Sequence, residues 1–140
     1  MKILLPVDGS AASLAAVHHA LRLRADGLQS TFVLANVQVP PSLYEIVVAH
    51  DAEVLSDVRR DAGADLLSGA EALLQAAGAH WESEVVGGDP GNLLIELIEN
   101  YGCDAVVMGS GVGSPGSVAQ ALLKHSLVPV TLVKVVETEA

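Results

Sequence analysis

Five short aliphatic and β-branched runs recur along the chain: Lys2–Val7, Thr31–Val37, His80–Val86, Ala105–Gly109 and Val130–Val136. Segments of helical spacing separate them, and this alternation admits few folds. Leu14, Val17, Leu21 and Leu28 mark a first helix, and Leu55, Val58, Ala62, Leu66, Leu73 and Ala77 a long second one. Leu94, Leu97, Ile98 and Tyr101 mark the third, and Val118, Ala119, Leu122 and Leu123 the fourth. Alternating strands and helices pair most simply as a mostly parallel sheet with right-handed crossovers. The expectation is an α/β fold, a single open doubly wound sheet of five mainly parallel strands with four helices. It occupies residues 1–140 as one domain, a length that suits one core.

Composition supports this architecture and removes several classes of function. Hydrophobic residues make up 51% of the chain and aromatic residues only 3%, so packing falls to Val, Leu, Ile and Ala. That bias suits buried parallel strands. No apolar run approaches the roughly 20 residues that span a bilayer. The first run follows a single lysine and is too short for a signal peptide, so it reads as a strand and the expected location is cytoplasmic. A net charge of −10 argues against nucleic acid, whose phosphates need a basic face. The lone Cys103 excludes an internal disulfide and reads as a small buried residue. Asp57, Asp61 and Asp65 share one helical stripe, which reads as a solvated face.

Helix starts are signalled at Ser10 or Ser13, at Asp89-Pro90, and at Ser117–Gln120, which has the pattern of a capping box. Ser114-Pro115 is a competing start for the last of these.

In an open parallel sheet, ligands bind beyond the carboxyl ends of the strands, where strand order reverses. Three segments qualify: Asp8-Gly9-Ser10, Asn36-Val37-Gln38 and Gly109–Ser117. The last contains Gly109, Ser110, Gly111, Gly113, Gly116 and Ser117 just before a helix. Glycines let backbone amides converge, and a helix start adds its positive end, which together form an anion cradle. A Gly/Ser segment before a helix is also a common turn. It is no P-loop, because Ser117-Val118 stands where Lys-Ser or Lys-Thr is required. Nor is it a dinucleotide fingerprint, since it follows the fourth strand and lacks the later acidic residue.

The runs Ile3–Ser10, Gly88-Asp89-Pro90, Asp104–Ser110, Gly116–Ala119 and Val128-Pro129-Val130 resemble, in order and spacing, the universal stress proteins. The resemblance covers essentially the whole chain. It implies a five-stranded Rossmann-like fold of the adenine nucleotide alpha-hydrolase-like kind, usually dimeric, with ATP or another adenine nucleotide as ligand and Mg²⁺ as its companion ion. It implies further that Asp8 faces the adenine, that Val37 and Met108 line the base pocket, and that Gly109 with Gly116-Ser117-Val118 holds ribose and phosphates. One departure is visible. Six residues separate Gly109 from Gly116, half of what that family's ATP-binding pattern has. The shorter segment also carries no Lys or Arg, the nearest being Lys124.

Asp8 keeps two readings at this point: a ligand-facing carboxylate, or a brace for the turn at Gly9. No His, Cys and acid set has metal-ligand spacing, and no base is placed to activate Ser10 or Ser117, so catalysis is not expected. A receiver domain is disfavoured because Asp8 lacks an acidic neighbour and the third strand ends Val85-Val86-Gly87-Gly88. Two functions remain, a nucleotide-responsive stress or signalling protein and an adaptor of the same family that binds no nucleotide. The segment Pro129–Val136, nearly all β-branched or aliphatic, is expected at a sheet edge where a second copy would pair with it.

Overall fold

The computed structural model describes residues 1–38, 52–111 and 116–135, and for 52–59 and 111 it describes the backbone alone. Among the described residues five strands alternate with four helices. They are β1 (Lys2–Pro6), α1 (Ala11–Ala25), β2 (Thr31–Gln38), α2 (Ala52–Ala76), β3 (Trp81–Gly87), α3 (Pro90–Tyr101), β4 (Ala105–Gly111), α4 (Ser117–His125) and β5 (Val130–Lys134). The strands form one sheet in the order β3-β2-β1-β4-β5, and every neighbouring pair is parallel. The expected fold class is the one observed.

Alternate residues of each strand serve opposite faces, as the period of two requires. Ile3, Leu5, Phe32, Leu34 and Val107 pack on Ala16, Val17 and Ala20 of α1 and on Leu67, Ala70 and Leu74 of α2. Leu4, Val33, Ala35, Val106 and Met108 pack on Leu94, Leu97 and Ile98 of α3 and on Ala119 and Leu122 of α4. Cys103 is buried in this second core, where burial pushes its thiol pKa up.

Local signals fix where the helices begin. Ser10 caps α1, its hydroxyl accepting from the Ser13 amide at 3.1 Å. Asp89 caps α3, accepting from the Asn92 amide at 3.0 Å with Pro90 at the first helical position. Arg24, in the last turn of α1, donates to the carbonyls of Ala77 and Gly78 at 3.0 and 3.3 Å and so closes the end of α2. The Tyr101 hydroxyl at the end of α3 donates to the Glu84 carboxylate of β3, a bond that pushes the phenol up to about 12.

The start of α4 differs from the expected capping box. Gly116 is the N-cap, and its carbonyl accepts the first helical bond from the Gln120 amide at 3.0 Å. Ser117 therefore lies inside the first turn instead of capping it. The competing start at Ser114-Pro115 lies outside the described residues.

Strand ends also shift from the expected ones. β1 stops at Pro6, and β4 continues past Gly109 to Gly111, still paired with β5 through an irregular register between Gly109 and Gly111. The glycine segment is thus partly strand, because β5 offers backbone partners as far as Lys134.

The two central strands part toward their carboxyl ends. The register of β1 on β4 runs from Ile3 opposite Ala105 to Leu4 opposite Val106. Beyond that, β1 stays on β2 to Pro6 opposite Ala35, while β4 stays on β5 to Gly111 opposite Lys134. On one face of this divergence, the first turn of α1 sits directly on β4. A Cβ on Gly109 would lie 2.9 Å from Ala12 Cβ and 2.5 Å from the Ala12 carbonyl carbon. Backbone cannot yield as a side-chain tip does, so Gly109→Ala is expected to destabilise the fold by about 1–3 kcal/mol or more. Urea unfolding measures it, and a variant as stable as the parent contradicts the packing role.

Candidate functional site

Where the strands part, a cavity of about 570 Å³ opens at the carboxyl edge of the sheet, lined by Ala12 and Ser13 of α1 as well as by α3 and α4, and within the usual range for small-molecule sites. Its apolar wall comes from Pro6, Ala35, Val37 and Met108 on three strands and from Leu94 on α3. Its polar rim comes from Asp8, Ser10, Ser13, Ser110 and Ser117. Leu94 and Met108 are buried, Val37 is half-buried, and Asp8, Ser10 and Ser117 are exposed at the mouth. An aromatic base could lie against such a wall while its polar substituents reach the rim.

Asp8 serves the turn at β1. Its carboxylate accepts from the Ser10 amide at 2.9 Å, closing a loop in which Gly9 adopts φ 83°. Only glycine takes that conformation without strain. Burial pushes the Asp8 carboxyl up, but bonds from the hydroxyl and amide of Ser10 and from the Ser13 hydroxyl outweigh it, leaving the pKa below its ordinary value. Asp8 thus braces the turn and also lines the cavity, so the two readings of this residue are compatible. Behind it, buried Asn36 donates to the Val7 carbonyl at 2.9 Å and accepts from Gln38, tying β2 to the end of β1.

The amino end of α4 faces the cavity through Gly116, Ser117 and Val118. Gly116 brings no side chain to cap the first turn, so these amides and the positive end of the helix are available to an anion. No Lys, Arg or His lines the cavity among the described residues; Asp8 is its one ionisable group. Lys124 stands seven residues beyond Ser117 in α4, about 10 Å along the helix axis. The described residues contain no group of three or more His, Cys, Asp or Glu placed to hold a metal ion.

Of the ten residues expected at a site, Asp8, Val37, Met108, Gly109, Ser110, Gly116, Ser117 and Val118 converge on this cavity. Gly111 is the last residue of β4, and Gly113 lies outside the described residues. Sequence reasoning passed over Pro90 and Leu94, which wall the cavity from α3. The signal was present, because the loop after β3 opens at the same carboxyl edge as the other strand-to-helix loops.

The match to known proteins is whole-chain. Residues 1–134 fit the model of the universal stress protein family. The chain belongs to that family. It is 28% identical over 140 residues to universal stress protein MJ0531 of Methanocaldococcus jannaschii, covering 95% of this chain and 81% of that protein. A universal stress protein solved in complex with cAMP is 27% identical, with a TM-score of 0.72 over 95% of this chain and 96% of that one. The hypothetical protein MJ0577 shares the fold at a TM-score of 0.79 and 24% identity, covering 98% of this chain and 97% of that one.

The lowered Asp8 pKa makes a signed prediction. A carboxyl held below its unfolded value stabilises the fold above about pH 4 and loses that contribution as pH falls through the folded value. Asp8→Asn keeps the acceptor but not the charge. The parent is expected to be more stable than the variant at pH 7, with the gap closing as pH drops below 4 in urea titrations. A gap independent of pH would assign the effect to something other than the ionised carboxylate.

Proposed function

We propose that this universal stress protein is a non-enzymatic, nucleotide-responsive stress or signalling protein that binds an adenine nucleotide and acts as a homodimer. The observation that carries the reading is the cavity where β1 and β4 part, with Val37 and Met108 on its apolar wall and the open amino end of α4 at its rim. The adenine would lie against Val37 and Met108, its ribose near Asp8 and Gly109, and its phosphate at the amides of Ser117 and Val118. The relative solved with cAMP, 27% identical, supports the adenine ligand class. Mg²⁺ would enter with the phosphates of ATP and not through a protein cage. The carboxylate beside Ser10, that of Asp8, is held below its ordinary pKa and is therefore a weak base, which supports a role in sensing over turnover.

One observation favours an adaptor that binds no nucleotide: the close approach of Ala12 already accounts for the glycine at position 109. Calorimetric titration with AMP, ADP and ATP in the presence of Mg²⁺ separates the two. Saturable heat below millimolar nucleotide is expected, and its absence for all three leaves the adaptor reading.

The dimer rests on β5, an edge strand whose sheet partner is β4 alone. In α4 and the turn that leads into β5, Leu123 and Leu127 are 52% and 95% exposed. A second copy pairing along β5 would cover the strand edge and the adjoining Leu127. Light scattering at tens of micromolar, a rough working range for specific homodimers, is expected to give a dimer that Leu127→Lys weakens. A parent protein that stays monomeric there contradicts the assembly.

A further inference from the structure

Resting on the adenine-nucleotide reading of the same cavity, we infer that it selects nucleotides with a single phosphate, free or cyclic, over ATP. Three independent features of the site point the same way.

The first is charge. Asp8, the one ionisable residue lining the cavity, is an acid held in its charged form by the Ser10 and Ser13 bonds, and no cation faces it from β2, β4, α3 or α4 among the described lining residues. Each phosphate beyond the first brings roughly one further negative charge. The protein adds a background of −10, so repulsion grows with every group.

The second is the count of anion donors. Among the described residues α1 and α4 both turn their amino ends to the cavity, but that of α1 is already served by the Asp8 carboxylate and the Ser10 hydroxyl, which leaves that of α4 as the one without a side-chain cap. The start of α3 is nearby through Pro90, but proline has no amide hydrogen, and Asp89 already occupies the Asn92 amide. The favourable effect of a helix end fades within its first turn. It suits one anionic group, not a chain of three.

The third is reach. Six residues join Gly109 to Gly116, and the first two continue the β4 strand, paired as far as Gly111 opposite Lys134. That leaves 112–115 to connect strand and helix, a stretch with no Lys or Arg to follow a phosphate chain outward.

The test is a calorimetric series of AMP, cyclic AMP, ADP and ATP without divalent ion at about 0.05 M salt, where screening is weak. AMP and cyclic AMP are expected to bind at least about tenfold more tightly than ATP, with ADP between, a gap of about 1.4 kcal/mol or more. Raising salt or adding Mg²⁺ should narrow the gap by screening the extra charge. Ser117→Lys, a change at an exposed position, should narrow it from the protein side by strengthening ATP more than AMP. ATP binding as tightly as AMP without Mg²⁺ overturns the selectivity and leaves the nucleotide reading intact. Binding of none of the four removes the nucleotide reading and this inference with it.

Discussion

The register between β1 and β4 ends at Leu4 opposite Val106, and the carboxyl edge of the molecule is organised by what happens next. Each strand follows its outer neighbour, β1 with β2 and β4 with β5, so the sheet divides at its centre. A divided parallel sheet must fill the gap on both faces or lose packing energy. On one face Gly109 admits the backbone of Ala12, and α1 closes directly on β4. On the other, α3 and α4 pack through Leu94, Met108 and Ala119, and the cavity opens at the carboxyl edge between these helices and the first turn of α1. Gly109 and Ala12 both line that cavity, so the close contact that seats α1 also shapes one of its walls.

What this cavity can hold is decided more by charge than by volume. Its size would accommodate many small molecules, but its chemistry is narrow: an aliphatic wall, serine hydroxyls, one carboxylate and the uncapped start of α4. The wall suits a flat base and the helix start suits an anion. Family membership is consistent with that pairing, and the relative of known cAMP complex shares the fold over nearly its full length. The departure from the family's ATP-binding pattern, the short span between Gly109 and Gly116, lies where a longer phosphate chain would need support.

Much of the fold was legible because its signals are local or periodic. β-branched runs marked all five strands, and Ser10 and Asp89-Pro90 marked two helix starts correctly. Positions at Asp8, Val37 and Met108 could be assigned to one edge because every parallel strand ends there. Strand order could not be read from periodicity, and without it the role of Leu94 in walling a cavity from α3 is invisible.

 

The contribution of Leu94 depends on α3 lying across β2 and β4, a tertiary fact. The capping box at Ser117 failed for a related reason. Its residue types were right, but the extended backbone at Gly116 moved the helix start one residue earlier. The continuation of β4 to Gly111 was hidden because glycine and serine weaken a strand by propensity, and only pairing with β5 restores it.

The central claim is that one ligand touches both the aliphatic wall and the start of α4. Nuclear magnetic resonance tests it most directly, with amide and methyl shifts followed while AMP is added to the labelled protein. The account predicts that the Val37 and Met108 methyls and the Ser117 and Val118 amides shift together along one saturable curve. Shifts confined to other surfaces, or none at saturating AMP, would contradict it.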